Sequence, residues 1–142
     1  MARHILVVDD QKGAADISVA AILKFGQGAF TAEAVYGGQA CLDRLGKQPA
    51  VDLILLDLNM PEVNGADVIR TLMRQSPKPP IKIMVTTAWG PGWTEHWNLT
   101  DIHKTAAFMQ LVCSETCDKS DTMSEMVVQI RQVLGMSDSE AA

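Results

Sequence analysis

The sequence predicts a doubly wound α/β fold built on a parallel sheet, and two observations carry the prediction. Apolar runs recur at residues 5–8 (ILVV), 30–35 (FTAEAV), 53–56 (LILL) and 81–85 (IKIMV), with helix-like segments between them. The first, third and fourth runs are nearly continuous Ile, Leu, Val and Met, as expected of strands covered by helices on both faces rather than strands with one wet side. Strands alternating with helical segments build βαβ units, which assemble into an open sheet wound in both directions.

The helices follow from their own periodicity. Ala14, Ile17, Ala21, Ile22 and Phe25 fall at i, i+3, i+7, i+8 and i+11, forming one apolar stripe that stops at Gly26. Val68, Ile69 and Leu72 form a shorter stripe after Gly65. In the last helix Met126, Val127, Ile130, Val133 and Leu134 keep the helical spacing, Thr122 and Glu125 form a capping-box pair, and Gly135 ends it. The reading is one domain over residues 1–135 and a polar tail over 136–142, with no second domain or internal repeat beyond the βα rhythm.

Length and composition limit the function. A chain of 142 residues fits one domain that buries about two-thirds of its unfolded surface. Apolar content of 47% with 20% charge suits a globular fold, and no apolar run reaches the roughly 18 residues of a membrane helix. The opening MARHILVVDD does not look like a signal peptide, so a cytoplasmic location without membrane attachment is expected. Cys41, Cys113 and Cys117 suit neither a disulfide framework nor a zinc knuckle and read as reduced thiols. A net charge of −5 with no Lys/Arg cluster argues against a nucleic-acid partner.

The segment DLILLDLNMPEVNG poses the functional question, because Asp57 ends a run of Leu and Ile just before a turn. An ionised carboxylate buried alone is very costly, so Asp57 must be paired, solvated at a strand's mouth, or used. Ligands of open parallel sheets bind beyond the carboxyl ends of the strands. Asp9 and Asp10 follow the first strand, Asp57 the third, and Thr86 and Thr87 the fourth, so all five gather at one edge. Three carboxylates there repel one another and call for a cation. A hard, oxygen-rich site with few protein ligands suits Mg2+.

ILVVDD, DLILLDLNMPEVNG and KIMVTTA together resemble the receiver domain of two-component response regulators, the phospho-acceptor partner of histidine kinases. The resemblance implies a five-stranded flavodoxin-like sheet of order 2-1-3-4-5 with helices on both faces, and a chemotaxis-regulator-like receiver. It implies that Asp57 is phosphorylated, and that Asp10 is the direct ligand of Mg2+ (or Mn2+) while Asp9 acts mostly through water. It further implies that Asn59 gives its backbone carbonyl to the metal, and that Thr87 is the switch hydroxyl, leaving Thr86 as a strand residue. The implied partners are a histidine kinase or histidine phosphotransfer protein and a downstream protein target. The family's surface of fourth helix, fifth strand and fifth helix is the implied partner or homodimer face. Such a domain is not an enzyme beyond catalysing its own phosphorylation and dephosphorylation.

The chemistry fits these residue types. An aspartate carboxylate can accept a phosphoryl group as an acyl phosphate. Positioning and charge neutralisation do most of the catalysis, through Mg2+ and a lysine ammonium. The phosphoryl oxygens then accept from Thr87, which moves the following loop and changes the neighbouring surface. In the turn, Pro61 fixes φ, while Asn64 and Gly65 tolerate positive φ.

The resemblance weakens after Ala88. The family's Lys-Pro pair at the end of strand five would fall near Met109, where no lysine stands. In one register AAFMQLV is strand five, Phe108 takes the place of the switch aromatic, and Leu111 occupies the lysine position. In another, Lys119 is the family lysine and Ser120 replaces the proline, which requires an insertion after strand four. A hybrid has a strand at 107–113 and a loop that returns Lys119 to the pocket. Strand physics favours the first and spacing to the last helix the second.

Trp89, Trp93 and Trp97 surround a Gly-Pro-Gly break and read either as a hydrophobic patch over the sheet edge or as a partner-binding surface, with Trp89 placed to shield an acyl phosphate. His4, His96 and His103 lack metal-ligand spacing and read as surface or packing residues. Two alternatives accompany the phospho-acceptor reading. One is a degenerate receiver acting as a phosphorylation-independent interaction or dimerisation module. The other is a phosphatase with an aspartyl nucleophile, disfavoured because Asn59 stands where that chemistry wants a second carboxylate.

Overall fold

A computed structural model describes residues 2–57, 60–74, 81–86, 112–114 and 123–136. The strands are β1 (Arg3–Val8), β2 (Phe30–Val35), β3 (Leu53–Asp57), β4 (Lys82–Thr86) and β5 (Val112–Ser114), and the helices are α1 (Lys12–Phe25), α2 (Gly38–Leu45), α3 (Gly65–Met73) and α4 (Met123–Val133). All paired strands run parallel in the order β2-β1-β3-β4-β5. The expected fold and strand order are therefore found.

Alternating residues of each inner strand enter two separate cores, which explains the unbroken apolar runs. Ile5, Val7, Leu53, Leu55 and Met84 pack with Ala15 and Ile22 of α1 and with Met126, Val127 and Ile130 of α4. Leu6, Val8, Ile54, Leu56, Ile83 and Val85 pack on the other face with Cys41 of α2 and with Val68, Ile69 and Leu72 of α3. Each fully buried Leu or Ile of this kind contributes about 1.5–3 kcal/mol by leaving water.

The stripe expected on α1 is found at Ala21 and Ile22 and corrected at its other positions. Ile17 is 58% exposed and Phe25 38%, whereas Ala15, Ala21 and Ile22 are the buried residues of the helix. A small residue at 15 lets the helix sit close to the sheet, and alanine carries too weak an apolar signal to reveal it. The α3 stripe is buried as expected. At the end of α4, Met136 N–H donates to Arg131 C=O (2.8 Å) and Gly135 N–H to Gln132 C=O (3.1 Å). Gly135 has φ +72°, so the helix closes in the glycine-dependent way its sequence suggests. Thr122, the expected cap at the other end, lies outside the described residues.

Candidate functional site

Three carboxylates converge where β1 and β3 end. Asp9 is the first residue after β1, and its N–H donates to the Val35 carbonyl at 3.3 Å, tying the loop to the end of β2. Its Oδ1 accepts from Gln11 N–H at 3.0 Å, a local turn that leads the chain into α1. Asp57 is the last residue of β3, in register with Thr86 of β4. Four buried residues precede it, and the strand carries it out of the core to a half-buried position. Asp9 is buried and Asp10 exposed, and one oxygen from each of Asp9, Asp10 and Asp57 lies within 4.8 Å of the others.

Like charges at this spacing repel by about 1 kcal/mol per pair in water and several times more at lower dielectric. All three donors are hard carboxylate oxygens, and they differ in burial from Asp9 to Asp10, so the cup opens to solvent on one side. This donor set fits Mg2+, which takes one or two carboxylates and keeps several waters or phosphate oxygens.

The turn after Asp57 differs from its sequence reading. Glu62 holds the positive φ, at +61°, and Asn64 is extended at φ −88° and ψ 177°. Asn64 serves as the N-cap of α3: its Oδ1 accepts from Asp67 N–H at 2.9 Å and Asp67 Oδ2 accepts from Asn64 N–H at 3.1 Å. Gly65 is then the first helical residue. Satisfying two otherwise unpaired backbone donors outweighs the tolerance of Asn and Gly for left-handed backbone, and the Asn-x-x-Asp spacing was the available signal.

Of the remaining sequence-derived site residues, Asn59, Thr87, Phe108 and Lys119 lie outside the described residues, as do the three tryptophans, His96 and His103. Thr86 is the last residue of β4, and its hydroxyl donates to the Leu56 carbonyl at 3.4 Å. In β5, Val112 pairs with Met84, Cys113 with Val85 and Ser114 with Thr86. Ser114 is the residue level with Thr86.

His4 lies toward the opposite edge. Its Nδ1 is 2.7 Å from Thr31 Oγ1 and its Nε2 2.7 Å from Glu33 Oε1, consistent with a packing role. Cys41 is buried as a free thiol, and burial pushes its pKa up to about 12, which keeps it protonated and inert. Two features beside the site were missed in the sequence. One is an exposed cluster of Lys12, Asp16 and Tyr36, signalled only by the i, i+4 Lys/Asp spacing. The other is the contact of Gly38 with Val63, which has no local signal.

The chain is 28% identical over 128 residues to the transcriptional regulatory protein CutR of Streptomyces coelicolor, covering 90% of this chain and 52% of that protein. It is 27% identical over 131 residues to the response regulator SaeR of Staphylococcus aureus, covering 92% and 50%. The chain thus spans about half the length of these curated relatives. Among solved structures, a sensor protein from Polaromonas sp. JS666 superposes with a TM-score of 0.72 at 19% identity, covering 95% of this chain and 98% of that one. The chemotaxis protein CheY4 of Vibrio cholerae gives 0.70 at 16% identity, covering 94% and 99%. These two likenesses show the fold. Residues 5–92 match the response regulator receiver domain family. With this match, the parallel sheet of order 2-1-3-4-5 and three carboxylates at its carboxyl edge, the chain belongs to the receiver domains of two-component response regulators.

Proposed function

We propose that the chain accepts a phosphoryl group on Asp57 from a phosphohistidine of a histidine kinase or histidine phosphotransfer protein, and that the modified domain then engages a downstream protein. The observation that carries this reading is the convergence of Asp9, Asp10 and Asp57 at one sheet edge. An Asp57 oxygen forms a bond to phosphorus as the bond from phosphorus to the donor breaks, and the donor leaves with the electron pair. Asp10 is the direct metal ligand in this scheme, Asp9 acts through water and Asn59 contributes its carbonyl. Bound Mg2+ or Mn2+ supplies the positive charge that offsets the carboxylates and the phosphoryl oxygens.

In the sequence Thr87 follows Thr86, the residue paired with Asp57. In the proposal its hydroxyl donates to the phosphoryl group and passes the change to the surface beyond β4. Lys119 supplies the ammonium and Phe108 the switch aromatic, and the family's helix–strand–helix surface serves as the partner or homodimer face. The domain comprises residues 1–135, works in the cytoplasm, and turns over no external substrate. Among the described residues no helix is long and apolar enough to cross a membrane.

Incubation with acetyl phosphate and Mg2+, followed by intact-mass measurement, tests this reading. A mass gain of one phosphoryl group that disappears in Asp57→Asn is expected. A folded protein that gains no mass would instead favour a degenerate receiver working by contact alone, a reading supported by the lack of a Lys-Pro pair near Met109 in the sequence.

A further inference from the structure

Lys12 opens α1 two residues after Asp10. Among the described residues of the loops at the carboxyl edge and the first turn of α1, it is the one positively charged side chain. Its Nζ donates to Asp16 Oδ2 at 2.6 Å, lies 3.4 Å from the Tyr36 hydroxyl oxygen, and sits 5.2 Å from the centre of the Tyr36 ring. The Tyr36 hydroxyl donates to Asp16 Oδ1 at 2.7 Å. Tyr36 directly follows Val35, whose carbonyl accepts the N–H of Asp9. The cluster therefore lies at the ends of β1 and β2, and it shares the β1 end with the acidic cup.

The Lys12 side chain is 71% exposed and that of Asp16 45%. An exposed pair of this kind is weakly held and readily exchanged for another anion. A phosphodonor reaching Asp57 is itself an anion and must approach three carboxylates.

We infer that Lys12 is a steering residue for anionic phosphodonors, held at the rim by Asp16 and Tyr36 and released to meet the donor's phosphoryl oxygens. The inference rests on the phospho-acceptor reading above. Lys12 takes no part in bond making: Asp57 still forms the new bond to phosphorus, and acetate leaves acetyl phosphate with the electron pair.

Labelling rates with acetyl phosphate and Mg2+ test it, in wild type, Lys12→Gln, Lys12→Arg and Asp16→Asn. Lys12→Gln should label about threefold more slowly at low salt, and the difference should vanish near about 1 M salt, where the Debye length is about 3 Å. Lys12→Arg should restore the rate. Asp16→Asn should label faster, and by less when combined with Lys12→Gln. Mg2+ titrated calorimetrically in the absence of a donor should bind Lys12→Gln slightly more tightly than wild type, because a neighbouring cation is gone. A wild type that takes no phosphoryl group overturns the phospho-acceptor reading. A wild type that labels, beside a Lys12→Gln variant that labels equally fast at low salt or binds Mg2+ more weakly, overturns the steering role alone.

Discussion

Gly38 and Val63 are in backbone contact: a Cβ built on Gly38 would fall on the Val63 carbonyl, and its next neighbours would be the carbonyl carbon and Cγ1 of Val63, each at 2.8 Å. Gly38 is the first residue of α2, and Val63 lies in the turn that follows Asp57. The start of α2 therefore props the turn next to the acceptor, and a hydrogen is the largest substituent it allows.

Gly38→Ala should destabilise the fold by about 1–3 kcal/mol, the usual cost of overpacking a filled contact. Because the displaced atoms belong to the turn after Asp57, the same variant should bind Mg2+ more weakly at a temperature where it is still folded. Denaturant melts and calorimetric titration separate the two effects.

Asp10→Asn relieves repulsion in the acidic cup, where oxygens of three carboxylates lie within 4.8 Å of one another. Each pair costs about 1 kcal/mol in water, and about 1 kcal/mol corresponds to roughly 3 °C in a domain of this size. The metal-free variant should melt a few degrees higher than wild type, while the stabilisation wild type gains from Mg2+ should be lost. Thermal scans with and without the ion decide it. A metal-free midpoint that falls would contradict the charge argument.

Asn64→Ala removes the side chain that accepts from Asp67 N–H at the start of α3. Losing a cap of this type costs about 0.5–2 kcal/mol. The reciprocal bond from Asn64 N–H to Asp67 ties the two residues together, so Asp67→Ala should cost less after Asn64→Ala than before it. A double-mutant cycle in denaturant measures that coupling.

Glu33 sets an acid limit to stability. The Arg44 guanidinium, whose Nε donates to Glu33 Oε1 at 2.6 Å, holds the Glu33 carboxyl below its ordinary value of 4.5, burial opposes this, and the bond from His4 adds to it. The folded state thus binds fewer protons than the unfolded chain in the window below about pH 4.5. The contribution of this pair is complete above that value and is lost as pH falls through the depressed native value. Glu33→Gln should be less stable at neutral pH and lose stability less steeply below pH 4.5. Denaturation midpoints across a pH series check the sign.

The order of strands and helices was legible from residue order because hydrophobic period is a local property. The unbroken Leu53–Leu56 run could only be a strand buried on two faces, and a carboxylate ending such a run had to stand at a sheet edge. Convergence of Asp9, Asp10 and Asp57 followed from parallel topology, since every parallel strand ends at the same side. What escaped were distinctions of one residue or contacts with no sequence spacing. The seat of α1 fell on Ala15 rather than Ile17, because close approach to a sheet rewards smallness as well as hydrophobicity. The capping role of Asn64 emerged because two unpaired backbone donors needed partners at the start of α3.

By itself, then, the chain's residue order determined the fold class and the identity of the acidic cluster, both of which depend on patterns within a few residues. Tertiary structure alone decided that Gly38 supports the Val63 turn, that Tyr36 and Asp16 hold Lys12 beside the cup, and that Ser114 stands level with Thr86. Those relationships join residues far apart in the chain, and only packing the helices onto the twisted sheet sets the distances between them.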